Sequence, residues 1–501
     1  MITSPISRPI TSRIASAIAG ARYAHARVVA DYYVSGAASN GYVIGDNSNS
    51  GTSREEPWLT LDKAVESAPS GSVIALNDGT YTAATYYHIV KSLEIIAENR
   101  GQAVLKQNGQ ARVIHLRDTS GGDRTLRLSG LVIDGEDQTT HTIDLGGNDT
   151  DTVKLILHRC EVKGGKTWSV YTGNQLSDVE VWDSEFNSSY STHRSHIEMD
   201  NVASGGLYVN GLTARGSSSA ASAVSVVSIS AIASGVSCHL ARLDIERPTD
   251  SAGLVRCVYI LNIDNAVVEN SYISVTSETS DAAGVVIESR SASLTANYAA
   301  VRYCEVDHNA YGGYGIIVGR DGSGDGDGNQ NYASVHNNTV NGGPNQTTPI
   351  HGLMLGFGIG GEVYDNTVTG CGLATIAKAH SGGEFYNNTI SEFGDQAIRA
   401  KGSSDTEWHD NTIAVSSGFL GTPVYIDADS VDSDSILITD NVINVNAAPT
   451  RIVFVADDNT ATFSGNTYNI NTSLSADSWE YQSTMYQTLA AWKAVEPDAL
   501  P

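Results

Sequence analysis

A five-residue phrase recurs through the second half of this 501-residue chain. It reads His336-Asn337-Asn338-Thr339-Val340, then Tyr364-Asp365-Asn366-Thr367-Val368, Tyr386-Asn387-Asn388-Thr389-Ile390 and His409-Asp410-Asn411-Thr412-Ile413. Weaker copies follow at Thr439-Asp440-Asn441-Val442-Ile443 and Ser464-Gly465-Asn466-Thr467-Tyr468. The third residue of each copy falls at 338, 366, 388, 411, 441 and 466, so the intervals are 28, 22, 23, 30 and 25 residues. A repeat of this length with strand-forming content specifies a solenoid, because one unit buries its apolar side only against the next. Asn tolerates a left-handed backbone and hydrogen-bonds the chain beside it, so an Asn at each turn predicts a stacked ladder. The β-branched residue that follows starts a strand with an inward apolar side.

The phrase resembles the repeat of right-handed parallel β-helix proteins, the pectate-lyase-like family. The resemblance implies an all-β chain, a single right-handed parallel β-helix with short capping helices at both ends. Composition agrees: Gly is 49 residues, Pro only 11 and charged residues 17%, which suits many short strands joined by turns. A second row of strands can be aligned from residue 141 to residue 457, giving about a dozen coils and, at ~4.8 Å per coil, a rod of about 60 Å. The division expected is an arm over 1–30, an opening and cap over 31–81, the β-helix over 82–473 and a capping segment over 474–501.

The net charge of −26 argues against nucleic acid and anionic membranes as partners, since phosphate contacts need Lys and Arg. It also disfavours a polyanionic glycan unless calcium or a local basic groove intervenes. No stretch approaches the roughly 18 apolar residues of a membrane span. The five cysteines, at 160, 238, 257, 304 and 371, form no CxxC pair. Cys160 and Cys304 stand at the same point of two similar strands, which predicts buried reduced thiols and folding in a reducing cytoplasm.

Residues 1–20 read as tetrads with Ile at 2, 6, 10, 14 and 18. Arg8, Arg13, Arg22 and Arg27 stand among no acids through residue 30, so this arm carries +4 and the remainder −30 (−26 − 4). The tetrads resemble the Ile/Arg/Pro-rich starts of bacteriophage tail and appendage proteins, in which a short arm docks the subunit on other tail or baseplate proteins. A cleaved secretion signal, with Ala24-His25-Ala26 as its site, is the rival reading. Further on, Thr60 before Leu61–Ser67 reads as an N-capped helix. The order of polar loop, helix and strand here resembles the opening of extracellular β-helix proteins, polysaccharide lyases and tailspikes among them. There the helix plugs the open end. A terminal capping helix is predicted over 484–495.

Alternation along the second row points Ile143, Leu145, Val170, Ile197, Met199, Val285 and Ile287 inward. Asp144, Tyr171, His196, Glu198, Asp200, Glu288 and Arg290 then face outward together. Ser195-His196-Ile197-Glu198-Met199-Asp200 is the sharpest constellation, three ionisable groups alternating with apolar ones. Glycoside hydrolysis needs one carboxylic acid to protonate the leaving oxygen and a carboxylate to activate water or attack. Glu198 with Asp200, or Glu198 with Asp144, is the candidate catalytic pair, because clustered acids raise one another's pKa. His196 would orient one of them, Tyr171 and Trp168 would stack on sugar rings, and Glu288 and Arg290 would bind substrate, Arg290 through a sugar carboxylate. A soluble β-helix also coats its outer faces with polar residues, so plain surface is the competing assignment. Lyase chemistry would need a base such as His193, Arg194, Lys163 or Lys166, and these match no lyase motif.

No cofactor is expected. The polar loop at 46–52 has oxygen ligands suited to calcium but reads as a plain turn, and the stretch Asp321 to Asn329 has alternating oxygen ligands but fails the EF-hand spacing and reads as a solvated loop. The functional expectation is a virion appendage, tailspike-like and homotrimeric by resemblance, that recognises bacterial surface polysaccharide, with hydrolysis of that glycan as the enzymatic option. The alternatives are a non-catalytic structural or adhesin virion protein and a secreted polysaccharide lyase or hydrolase.

Overall fold

Parallel backbone pairing between each coil and the next runs almost the whole length of the molecule. The structure is a computed structural model that describes residues 29–494, apart from 117–121, 147–150, 174–175, 189–192, 217–222, 248–253, 278–281, 291–297, 311, 320–331, 344–349, 417–420, 429–431, 448, 450, 474–477 and 487. Among the described residues there are 42 strands and two short helices. The fold is a right-handed parallel β-helix, as the repeat implied. Residues 1–28 of the arm and the Asp321–Asn329 stretch lie outside the described residues.

Three strand columns form the walls. Sheet A starts with Tyr32–Val34, Ser72–Leu76 and Leu93–Ala97 and ends with Ala461–Ser464. Sheet B runs from Gly79–Thr82 and Ala103–Lys106 to Thr467–Ile470. Sheet C runs from Tyr87–Ile89 and Ile114–Leu116 to Trp479–Tyr481. Several strands bend through two walls: Leu176–Ser188 belongs to A and B, and Glu161–Thr172 to B and C. Sheet C is about fifteen strands deep, which at ~4.8 Å per coil gives a stack of about 70 Å. The expected dozen falls short because the row aligned over 141–457 left out Tyr87–Ile89, Ile114–Leu116 and Trp479–Tyr481, which lie in the same column. Parallel pairing therefore passes the expected boundary at 473.

At the A–B corner one residue per coil takes a left-handed backbone. Asn337, Asp365, Asn387, Asp410 and Asp440 have φ of 53–55°, and Gly465 has 64°. The next residue of each phrase is the buried Asn, 0–6% exposed. The amide of Asn388 shows the pattern: its N and Nδ2 both donate to Asn411 Oδ1 at 2.9 Å, and Nδ2 also donates to Val363 O at 2.8 Å. The same bonds recur from Asn338 to Asn466. Buried backbone groups at the corner are thereby paired within the wall.

Earlier coils keep the corner and change the residue. Cys160, Ser184, Ser271 and Cys304 follow left-handed Arg159, Asp183, Asn270 and Tyr303. Cys304 Sγ lies 3.7 Å from Val268 O, where an Asn amide would donate, and Asn338 Oδ1 accepts from Cys304 N at 2.9 Å. All five cysteines are buried and unbridged. Burial pushes the Cys160 thiol up to about 11.

The two ends are plugged. Helix α1, Leu61–Ser67, is capped by Thr60 Oγ1 accepting from Lys63 N, and it buries Leu61, Ala64 and Val65. At the other end the expected helix over 484–495 is shorter. Thr484–Tyr486 instead pairs antiparallel with Trp479–Tyr481. Helix α2, Leu489–Lys493, starts only after the extended Thr488, which caps it, and Trp492 packs edge-on against Phe463. No described helix is long and apolar enough to cross a membrane.

The Asn ladder gives a direct prediction. Asn411→Ala takes the acceptor from Asn388 N, one of two bonds from Asn388 Nδ2, and the amide donor that reaches the Phe385 carbonyl at 2.8 Å. At ~1–3 kcal/mol for each unsatisfied buried group, the loss is about 3 kcal/mol or more. Asn469→Ala removes only the exposed bond from Asn469 to Asn444 and should stay within about 0.5 kcal/mol. Urea unfolding of both variants checks the contrast.

Candidate functional site

The outer face of sheet C departs from simple alternation in a way that fixes the site. Each coil enters this sheet with two successive inward residues. Thr142-Ile143, Ser169-Val170 and His196-Ile197 are all 0% exposed, as are Cys257-Val258 and Ala397-Ile398. Residues three apart therefore share the outer face: His141 with Asp144, Trp168 with Tyr171, Ser195 with Glu198. Farther along, Gly284, Gly315 and Gly352 fill the first inward position. A Cβ there would come within 2.5–2.7 Å of Val306, Val340 or Val368 on the facing wall.

Coil-to-coil register then lines up one outer row: His88, His115, Asp144, Tyr171, Glu198, Ser228 and Tyr259. Neighbours in the row are ~4.8 Å apart. Asp200 faces outward two residues beyond Glu198, and Ser230 Oγ of the next coil donates to its Oδ1 at 2.8 Å.

The sequence reading placed most of these residues correctly. Ile143, Leu145, Val170, Ile197, Met199, Val285 and Ile287 are 0–1% exposed and inward. Asp144, Tyr171, Glu198, Asp200 and Trp168 share the outer face. His196 does not. It is the first of an inward pair, so its ring lies in the interior against Phe186. Its Nε2 lies 3.2 Å from Arg215 O, an acceptor, so Nε2 carries the proton. Ser169 Oγ then donates to His196 Nδ1 at 3.1 Å and accepts from His193 Nε2 at 3.2 Å. His196 thus braces the wall beneath Glu198 from the interior side.

Asp144 is only 5% exposed. Arg112 Nη1 lies 2.6 Å from its Oδ2, and Oδ1 accepts from Gly146 N at 2.8 Å. His115 and His141 stand 3.8 and 3.9 Å from the same carboxylate. Burial and the Arg112 charge hold the His141 ring below the usual imidazole range, against the pull of Asp144. Asp144 is an anchor inside a cationic and imidazole shell.

Glu198 is different. Burial first, then the nearby Asp200 charge, lifts its carboxyl above the ordinary glutamate value. Hydrogen bonds from Ser195 and Ser228 and the charge of Arg194 act the other way. Ser195 Oγ donates to Glu198 Oε2 at 2.6 Å. A carboxyl whose pKa its surroundings raise, beside a second, oriented carboxyl group, is the kind of pair that acid–base glycoside cleavage uses.

Aromatic rings flank the pair. His141 stacks on Trp168 and Tyr171 at 4.9 and 4.8 Å, and Trp168 lies 4.8 Å from Tyr171. Burial, followed by Asp200, Asp144 and Glu198, raises the Tyr171 hydroxyl's pKa. Glu288 lies three coils past Glu198, about 14 Å along the axis; Tyr259, one coil earlier, donates to its Oε1 at 2.6 Å, and Arg290 pairs with the same oxygen at 2.7 Å. Glu288 and Arg290 therefore form a paired unit beyond the acid cluster.

Sequence reasoning missed His88, Arg112, His115 and His141. A signal existed: stepping along 88, 115, 144, 171 and 198 gives intervals of 27, 29, 27 and 27 residues. It also missed the far boundary of the polar face. Ala283, Val286, Ile317, Met354, Leu373 and Ile376 occupy outward positions yet are only 2–5% exposed, with Tyr259 and Tyr314 packed on them. This apolar block closes the site on the C-terminal side.

Residues 325–488 match the family described as right handed beta helix region, and the parallel coils extend well ahead of the match, from Tyr32–Val34 onward. Among solved structures, tailspike protein 3 of bacteriophage CBA120 is 12% identical, with a TM-score of 0.37 over 86% of this chain. The chain spans 59% of that tailspike's length. The catalytic unit of a GH87 alpha-1,3-glucanase from Streptomyces thermodiastaticus is 13% identical, with a TM-score of 0.40 over 85% of this chain and 68% of that one. The gene product 12 N-terminal fragment of bacteriophage Phi29 is 11% identical, with a TM-score of 0.38 over 84% of this chain and 89% of that one. No curated protein matches the sequence.

The electrostatic origin of the Glu198 shift is testable by carboxyl-resolved NMR with selectively labelled glutamate, using Glu198→Gln to assign the signal. Ser195→Ala removes a donor to the charged form and should raise the Glu198 midpoint further. Asp200→Asn removes a neighbouring negative charge and should lower it.

Proposed function

We propose that this chain binds a polysaccharide along the outer face of sheet C and hydrolyses it at Glu198 and Asp200. The observation that carries the reading is the lifted Glu198 carboxyl set beside Asp200 in a face lined by Trp168, Tyr171 and His141. Glu198, protonated, donates to the glycosidic oxygen. Asp200, oriented by Ser230, draws the proton from an attacking water on the other side of the sugar. Alternate positions on one strand have Cα atoms about 7 Å apart, a span that admits a water between the carboxyl groups and favours inversion. Asp144 is the weaker partner, since its oxygens already serve Arg112 and Gly146.

In this reading the protein is a tailspike-like virion appendage. The support is the basic arm over 1–30, +4 against −30 for the rest, suited to docking on other tail proteins. The glycan is then a bacterial surface polysaccharide and the working unit a homotrimer.

The test is release of reducing ends from a panel of bacterial surface polysaccharides. Glu198→Gln should lower the rate by about 10²–10⁴-fold. Because the acid must be protonated, activity should fall as pH rises through the elevated Glu198 pKa. Cleavage untouched in Glu198→Gln and Asp200→Asn would discard this site. Binding without cleavage would make the protein an adhesin.

A further inference from the structure

Past Glu198, the outer face of sheet C changes from small side chains to large ones within one coil. The coil after Glu198 presents three serines, Ser225, Ser228 and Ser230, around the buried pair Val226-Val227. Ser225 and Ser228 are the register partners of Arg256 and Tyr259 on the next coil. There the Arg256 guanidinium lies 4.2 Å from the Tyr259 ring centroid. Tyr259 in turn donates to Glu288 Oε1 at 2.6 Å, and Arg290 pairs with that oxygen at 2.7 Å. These four side chains form a bar across the width of the sheet, in which Glu288 is only 5% exposed. Behind the bar, Val286, Ile317, Met354 and Ile376 continue the row of Tyr259 at 2–5% exposure, so that row offers a glycan no open surface. The side before Glu198 is different. Two residues beyond Tyr171 and Asp144, where Asp200 stands beyond Glu198, the chain has Gly173 and Gly146, which carry no side chain to interrupt a groove.

We infer that the bar of Arg256, Tyr259, Glu288 and Arg290 ends the glycan groove and makes the protein cut from a chain end, releasing products of one or two sugars. Tyr259 stands two coils, about 10 Å, beyond Glu198 along the axis. A sugar of an extended glycan advances by about one coil repeat, so one ring fits on the serine floor and a second meets the bar. The side toward Tyr171 and Asp144 takes the rest of the polymer. A long chain cannot pass a closed end, so a scissile bond reaches Glu198 only when the terminus of the glycan is seated against the bar. The ring of Tyr259 is held there from both sides, by the Arg256 guanidinium over its face and by the Glu288 carboxylate on its hydroxyl. The bar meets the last sugar and not the bond being cleaved. Its residues therefore set product length and leave the chemistry to Glu198 and Asp200. This inference rests on the hydrolytic reading of that pair.

The test follows the products from a bacterial polysaccharide that the protein cleaves, by mass spectrometry and by size-exclusion chromatography over time. Native protein should release mono- or disaccharides from the first time point while the polymer keeps its elution position. Arg256→Ala/Tyr259→Ala, with its circular dichroism unchanged, should release products of three or more sugars and shorten the polymer severalfold faster per bond cut. Early collapse of the polymer peak into a broad product ladder with the native protein overturns the inference. So does a folded double variant whose products stay at one or two sugars. If the double variant does not fold, the native product pattern decides alone. The hydrolytic reading fails differently, and the inference falls with it: no polysaccharide of the panel is cleaved, or cleavage persists in both Glu198→Gln and Asp200→Asn.

Discussion

Parallel hydrogen bonding from coil to coil is the constraint on which everything else depends. Once each strand pairs in register with the same stretch of the next turn, a residue's neighbours are set by position in the coil and not by distance in sequence. Asp144, Tyr171 and Glu198 become adjacent for this reason alone. The interior obeys the same rule. One Asn per coil becomes a continuous amide ladder, and a thiol or hydroxyl at the same position keeps part of its bonding. The corner's left-handed residue is what turns the chain, and the buried amide behind it pairs the backbone that the turn would otherwise leave unsatisfied.

Much of this was legible in the sequence because the physical period and the written period coincide. The Asn phrase gave the ladder, and Thr60 gave the first helix. Val170, Ile197 and Ile287 are inward as alternation required. His196 was misread because alternation fails where a coil bends into sheet C. Two inward residues in succession move the phase by one, and only the facing wall decides which pair. The first coils were left out of the count because the aligned row began only at residue 141, and the terminal helix was overextended because Thr488 is extended and starts it late. The apolar block was illegible for another reason. Exposure of an outward residue depends on what lies over it, and local sequence does not record that.

The outer face of sheet C is thus divided by chemistry. Its first part joins acids, imidazoles and aromatic rings, its middle is apolar and covered, and its last part joins lysines, arginines and two stacked rings. Another surface run of rings, His336, Tyr364, Tyr386 and His409 on sheet A, is built otherwise. Its rings stack face to face at 4.7–5.0 Å, within 9° of parallel. Their faces are used on one another, and only edges are left for solvent. That ladder strengthens the wall, whereas the rings around Glu198 border a carboxyl whose protonation its surroundings control.

The measurement that reaches the central claim most directly is a crystal structure of the Glu198→Gln protein with a bound oligosaccharide from a polysaccharide it recognises. The account predicts sugar rings running along the axis on the outer face of sheet C, with a glycosidic oxygen within hydrogen-bond reach of position 198. Sugar bound on sheet A or sheet B, with the Glu198 face bare, would contradict it.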